Sequence, residues 1–384
     1  MLLLAGLFEL PATGARTIVP QTSGEAHVWE DAARLEADIL KSGFVLEAPS
    51  VEDYLESVLS RVLGHEGLDP GFFRVKVIRD TSLNAFALPH GVIFIHSGLL
   101  ARMVNEAQLA TILGHEATHV THHHSYKGVK DQRTKSTLLS VVSVSAGAAG
   151  DFSSLVGLFG ELGTAAAISG YSRALEREAD EVGWERMRAS GYSLDAAPEV
   201  FRILLADIDA NRRDEPFFFG THPKLEDREE NFTRMNKRSR DPVGGELGVE
   251  RFAQGILPIL VVNGELEMKA GRWTAARDQL WRYRQGNPHD PRGRWLIGET
   301  ERRAGPEGNP TESRQLLQEA LSLDPDFAPA HRSLGLLLHR EGKWQAAADH
   351  LTTFLDLEPQ AHDRAYLQAY IDPCRTETAP PSSP

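Results

Sequence analysis

The stretch NEAQLATILGHEATHVTHHH, residues 105–124, decides how the rest of the chain is read. Asn105 followed three residues on by Gln108 is a capping-box start, so a helix is expected from 105 to about 124. Leu109, Ile112, Leu113, Ala117 and Val120 give that helix an apolar side. Inside it lies His115-Glu116-Ala117-Thr118-His119. The two histidines stand one turn apart, so both imidazoles project from one face. Such a pair is the usual start of a catalytic zinc site, with Glu116 beside it as the candidate general base. His122, His123 and His124 read as a polar helix end, with His123 alone a candidate for the zinc face. His65-Glu66 lacks a second histidine and is set aside.

A catalytic zinc needs a third protein donor. The long pattern with Gly and His seven and ten residues after the first His fails here, because those positions are His122 and Ser125. The other source is a Glu on a separate helix, and residues 172–180, SRALEREAD, supply one. Glu176 and Asp180 share a helix face. Glu176 is expected to bind the metal, and Asp180 to fix a ligand imidazole through its free N–H. Glu178 lies about 200° round the helix from Glu176 and should point away.

Composition agrees with a His/carboxylate site. The 384 residues include 15 His and a single cysteine, Cys374, which rules out an intrachain disulfide framework and any Cys-based zinc cluster. Asp plus Glu outnumber Lys plus Arg by 54 to 41, a formal net charge of −13, which disfavours nucleic acid as a partner.

Other segments set the frame. Residues 1–8, MLLLAGLF, are apolar without a basic flank, and residues 1–24 read as a signal remnant or a disordered terminus. Helices are expected over 26–42, ending at Gly43, and from a Ser50 cap onward. Residues 73–78 alternate as a strand, and 84–88 with 92–96 form a hairpin around Pro89-His90-Gly91. Further helices are read over 171–189, over 194–211, and from Pro223 to about Lys237. Residues 136–172 carry only Asp151 and Glu161 as charges, but their glycines argue against a membrane span. They read as a pair of buried or half-buried helices, or as a lid with peripheral membrane contact.

From about residue 258 the pattern becomes periodic. Gly271-Arg272-Trp273 recurs as Gly342-Lys343-Trp344, with Gly308 between them at spacings of 37 and 34. Asn287-Pro288, Asp324-Pro325 and Glu358-Pro359 repeat those spacings. A period near 34 with helix pairs between resembles the tetratricopeptide repeat, whose hairpins must stack to bury their apolar faces.

The order of these motifs carries a resemblance. HExxH, then SRxxExEAD, the upstream NAFALPHGVIFIHSGLL (84–100), and Thr221-His222-Pro223 with Arg228 six residues beyond the His look like the gluzincin peptidases of the HtpX and CAAX prenyl protease type. Repeats after the peptidase part are similar to the BepA-like branch. The resemblance implies an α+β, mostly helical fold. A zinc peptidase domain with a small β-sheet spans 25–240, an α-helical repeat domain spans 255–372, and 373–384 form a disordered tail. It implies one zinc per chain on His115, His119 and Glu176, with Glu116 as base. His222 either donates to the oxyanion or sits on the metal and blocks it, with Arg228 holding it in place. Substrate is expected to add as a strand along Asn84, Ala85, Phe86 and Ala87. The implied activity is hydrolysis of unfolded or misassembled proteins in the periplasm or cell envelope, with a protein partner on the repeats. The alternative is a chaperone-like assembly factor acting through the repeats with proteolysis suppressed.

Overall fold

The computed structural model describes residues 16–134, 171–211, 225–239 and 244–375. The N-terminal apolar stretch, most of the low-charge segment 136–172, the Thr221-His222-Pro223 triplet and the last nine residues lie outside the described residues.

The fold is mostly helical around one small sheet. Helices α1 (Ser23–Lys41) and α2 (Pro49–Leu63) come first. Lys41 is followed by Gly43 at φ +77, a stop that suits glycine alone. Ser50 does not cap α2. Pro49 occupies the first turn, where its missing N–H costs nothing, and Ala48 makes no side-chain cap bond. Three strands follow: β1 (Arg74–Ile78), β2 (Ala85–Ala87) and β3 (Val92–His96), in the order β1-β3-β2. The expected β2–β3 hairpin pairs antiparallel, Phe86 opposite Phe94, and β1 joins β3 in parallel. β2 is therefore an edge. His96 of β3 runs straight into the short helix α3 (Ser97–Arg102).

Helix α4 (Glu106–Thr121) carries the HExxH motif. Asn105 caps it, its side chain accepting from Gln108 N at 2.9 Å, while Gln108 Oε1 accepts from Val104 N. The sequence suggests an amphipathic helix, yet every residue from Glu106 to Val120 is buried. Elements α2, β2 and β3 cover one side, and the later helices α6 (Arg173–Ala189) and α7 (Ala196–Asn211) the other. The helix also stops earlier than expected. His122 is its C-cap, His123 takes φ +56, and a new helix α5 (His124–Thr134) begins. Helix α8 (Leu225–Arg238) packs on α7.

The remainder is an array of helix hairpins. After α9 (Val249–Gly255) come α10 (Leu257–Lys269) with α11 (Trp273–Gly286), α12 (Pro291–Arg303) with α13 (Pro310–Leu323), and α14 (Ala328–Arg340) with α15 (Trp344–Leu357). Each hairpin crosses at a glycine facing a leucine: a Cβ on Gly264, Gly298 or Gly335 would lie 2.8, 3.0 or 2.7 Å from Leu280, Leu317 or Leu351. The turn of the middle hairpin is longer. Its left-handed residue is Gly305 (φ +59), matching Gly271 (φ +72) and Gly342 (φ +74), whereas Gly308 sits three residues later at φ −94. The final helix, α16 (Arg364–Arg375), carries Pro373 in its last turn and buries Cys374. The helix thus continues past residue 373, where the tail was expected to begin. None of the described helices is long and apolar enough to cross a membrane.

The first hairpin is docked on α3. Asn263 meets Ser97 Oγ at 2.9 Å and Gln279 at 2.9 Å. Arg102 is buried between Glu267 (2.7 Å) and Asp207. Arg282 donates to the carbonyls of Ala101 and Met103. One apolar core runs without a break from Val51 and Leu113 to Ile259 and Leu280.

Candidate metal centre

Helix α4 turns His115 and His119 inward with their Nε2 atoms 3.0 Å apart. From α6, Glu176 brings one carboxylate oxygen to 3.5 Å from His115 Nε2 and the other to 3.6 Å from His119 Nε2. All three side chains are buried. An ion held tetrahedrally with donors about 2.0–2.1 Å away separates those donors by about 3.3 Å, so the trio fits a small divalent cation.

A close helix crossing creates this geometry. Gly183 of α6 lies against Gly114 of α4, and a Cβ on Gly183 would stand 3.1 Å from His115 N and 3.2 Å from Gly114 C. Glu176 and Asp180 lie on α6 within two turns before that crossing. Arg186, three residues after it, donates to Gly114 O (3.2 Å), Thr118 Oγ1 (2.7 Å) and Thr121 Oγ1 (2.8 Å). Glu66, set aside in the sequence, is the counter-ion of Arg186.

Asp180 Oδ1 stands 2.8 Å from His115 Nδ1. Arg228 of α8, fully buried over the Phe201 ring, donates to the same carboxylate at 2.5 and 3.3 Å. Its Nη2 also lies 2.9 Å from His115 Nδ1. One ring nitrogen cannot donate to Asp180 and accept from Arg228 at once. With Nε2 turned to the other two donors, Nδ1 carries the proton and gives it to Asp180. Burial pushes the Asp180 carboxyl up, but the Arg228 charge and the His115 bond outweigh it and hold it below the usual carboxylate range. Burial and Arg228 depress the His115 imidazole, yet its bonds to Asp180 and Glu176 prevail and raise it to about 9. A metal binding there displaces a proton.

Glu116 is buried, and its Oε1 has no hydrogen-bond partner among the described residues. Burial raises its carboxyl to about 7, against the pull of His115 and of the Ala87 backbone N–H. A carboxyl near neutrality is what a general base requires.

His119 is held differently. Tyr171 stacks on its ring at 3.8 Å and 13°, with the Tyr171 hydroxyl 3.1 Å from Ser125 Oγ. Its Nδ1 stands 2.9 Å from Nδ1 of the buried His124. Burial holds the His124 imidazole down to about 3. His124 Nε2 in turn lies 3.4 Å from the Glu178 carboxylate, which is 40% exposed and is not one of the three converging donors. His123 is not on the metal side and pairs with Glu25 of α1. Sequence reasoning missed His124 and Tyr171. Tyr171 was visible only as the residue before SRALEREAD. Arg228 was expected to support His222, which lies outside the described residues; among these, Arg228 donates to Asp180.

β2 supplies the last part of the site. Asn84 O and Leu88 N bond to β3, so Phe86 pairs inward and the peptide groups of Ala85 and Ala87 turn to the edge that pairs with no further strand among the described residues. The Ala87 N–H is near enough to Glu116 to lower its carboxyl slightly. Phe86 stacks on Phe94 at 5.2 Å.

Residues 49–236 match peptidase family M48. The beta-barrel assembly-enhancing protease of Escherichia coli (strain K12) is 29% identical over 188 residues, 48% of this chain and 38% of its own length. The mitochondrial metalloendopeptidase OMA1 of Schizosaccharomyces pombe is 29% identical over 175 residues, 46% of this chain and 50% of its own. The metalloprotease YcaL of Escherichia coli (strain K12) is 29% identical over 153 residues, 40% and 58% respectively. The chain thus spans less than two thirds of the length of each of these relatives. Among solved structures, MamA 41-end from Desulfovibrio magneticus RS-1 aligns with 50% of this chain and 92% of its own at 16% identity, but its TM-score of 0.25 is too low to bear on the fold.

Proposed function

We propose, from the premise that residues 49–236 form an M48 peptidase domain, that this chain is a zinc-dependent endopeptidase acting on unfolded or misassembled proteins of the cell envelope. The observation that carries the proposal is the convergence of His115, His119 and Glu176 beside the buried Glu116. A zinc ion bound by that trio supplies a Lewis acid and lowers the pKa of a water to near neutrality. Glu116 takes the proton at its carboxylate and returns it to the leaving amine. The open edge of β2, along Asn84, Ala85, Phe86 and Ala87, pairs with substrate backbone, a mode that reads sequence weakly and suits varied unfolded chains. His222 acts at the same centre, either as oxyanion donor or as a resting-state block. The envelope setting is proposed from the relatives named as beta-barrel assembly-enhancing proteases.

The hairpin array is proposed to hold a protein partner, and it supports a second reading, an assembly scaffold in which proteolysis is secondary. Zinc content and casein cleavage, measured for the wild type, Glu116→Gln and His222→Ala, test both. The peptidase reading expects one zinc per chain, and cleavage that Glu116→Gln abolishes without losing the metal. Bound zinc with no cleavage by any form sinks it in favour of the scaffold. A gain of activity in His222→Ala marks a block, and a loss marks an oxyanion donor.

A further inference from the structure

We infer that His124 is a positioning residue for the metal centre: it accepts the Nδ1 proton of His119 and thereby fixes the tautomer and ring angle that turn His119 Nε2 toward His115 and Glu176. This inference rests on the metal-peptidase reading above and extends it.

The two Nδ1 atoms stand 2.9 Å apart, and both residues are buried, so one proton lies between them. A metal donor must offer a lone pair at Nε2, which leaves the proton of His119 on Nδ1 and makes His124 Nδ1 the acceptor. His124 then carries its own proton on Nε2. That atom lies 3.4 Å from the Glu178 carboxylate, which is 40% exposed. The His119–His124 bond is thus fully assigned, while the Glu178 carboxylate stands near His124 Nε2 without a hydrogen bond between them among the described residues. The Tyr171 stack holds the plane of the His119 ring, and the bond to His124 sets its rotation within that plane. His115 has the corresponding support from Asp180. The two metal donors therefore rest on different chemistry, an anion behind one and a neutral imidazole behind the other.

The path exists because of the backbone. His123 at φ +56 ends α4 and starts α5 at His124, which brings that ring back beside His119. The contact costs a left-handed non-glycine residue, and pairing of His123 with Glu25 helps to hold it.

The test uses the full chain and zinc alone as probe. Zinc affinity is measured by competition with a chromophoric chelator for the wild type, His124→Phe and His124→Asn, with circular dichroism to check folding. His124→Phe keeps the shape and loses the acceptor, and is expected to weaken zinc binding by about 10–100-fold. His124→Asn places an oxygen close to where Nδ1 stands, and is expected to restore affinity. Equal affinity of folded His124→Phe and wild type overturns the inference, as does an Asn variant as weak as the Phe variant. If the Phe variant does not fold, 15N spectra of the zinc-loaded wild type decide. A bare Nδ1 on His124 facing a protonated His119 Nδ1 supports the inference, and a protonated His124 Nδ1 overturns it. Failure of the wild type to bind zinc at all removes the metal reading and this inference with it, and is distinct from every other outcome.

Discussion

Arg228 spends its whole charge inside the protein. It is fully buried, and the Asp180 carboxylate is its only ion-pair partner among the described residues. Replacing it with Met leaves Asp180 buried with one imidazole, and is expected to destabilise the fold by about 3–5 kcal/mol in urea denaturation. Arg228→Lys, a point charge without the planar fork, should recover only part of that loss. Asp180→Ala should weaken zinc binding by roughly 10–100-fold in chelator competition, because His115 loses its orienting acceptor. At this scale the sequence was readable wherever helix spacing alone decides. His115, Glu116 and His119 share one turn, and Glu176 and Asp180 share another. His124 was not readable. On a continuous helix it would lie about 140° from His119. Nothing in His122-His123-His124 announces the left-handed break that reverses this, since such breaks usually fall at glycine.

Between elements, the Gly114–Gly183 crossing sets how near two helices come and so how close the metal donors stand. Gly183→Ala is expected to push α6 off α4 by a few tenths of an ångström, cost about 1–3 kcal/mol, and reduce zinc affinity together with Tm. Unchanged affinity in a folded variant would show that the crossing does not govern the donors. The last hairpin carries a pH dependence. Burial holds His339 below its ordinary value, and burial together with His331 does the same for His350. The unfolded chain takes up these protons as pH falls through about 6.5, and the native state does so only lower. Stability from this source is therefore full above that pH and lost below it. Tm should drop between pH 7.5 and 5.5, and less so in His350→Gln. Hairpin boundaries were legible because Gly and Pro punctuate them. The glycine–leucine crossings and the parallel pairing of β1 with β3 were not, since each depends on partners distant in sequence. The amphipathic reading of α4 failed for the same reason: later helices cover its polar side too.

Across the whole molecule, the change of sequence character near residue 255 does not coincide with a gap in packing. Phe252, Ile256, Ile259 and Leu260 are buried in the same core as Leu55 and Leu113. Truncation at residue 245 strips that cover, and the shortened chain is expected to aggregate on size exclusion rather than run as a small monomer. A monomeric fragment that binds zinc like the full chain would contradict this. The seating of the first hairpin on α3 has one more consequence. α3 follows without a linker from β3, the strand that pairs with β2. Two binding regions joined by a flexible tether gain from each other according to the tether's reach. Here no tether intervenes, so if the first hairpin grips a polypeptide, that polypeptide would meet the edge strand at a distance set by the fold. Under the proposed function such a molecule would measure its clients by span: one whose slack falls short of that distance would be gripped yet never cut.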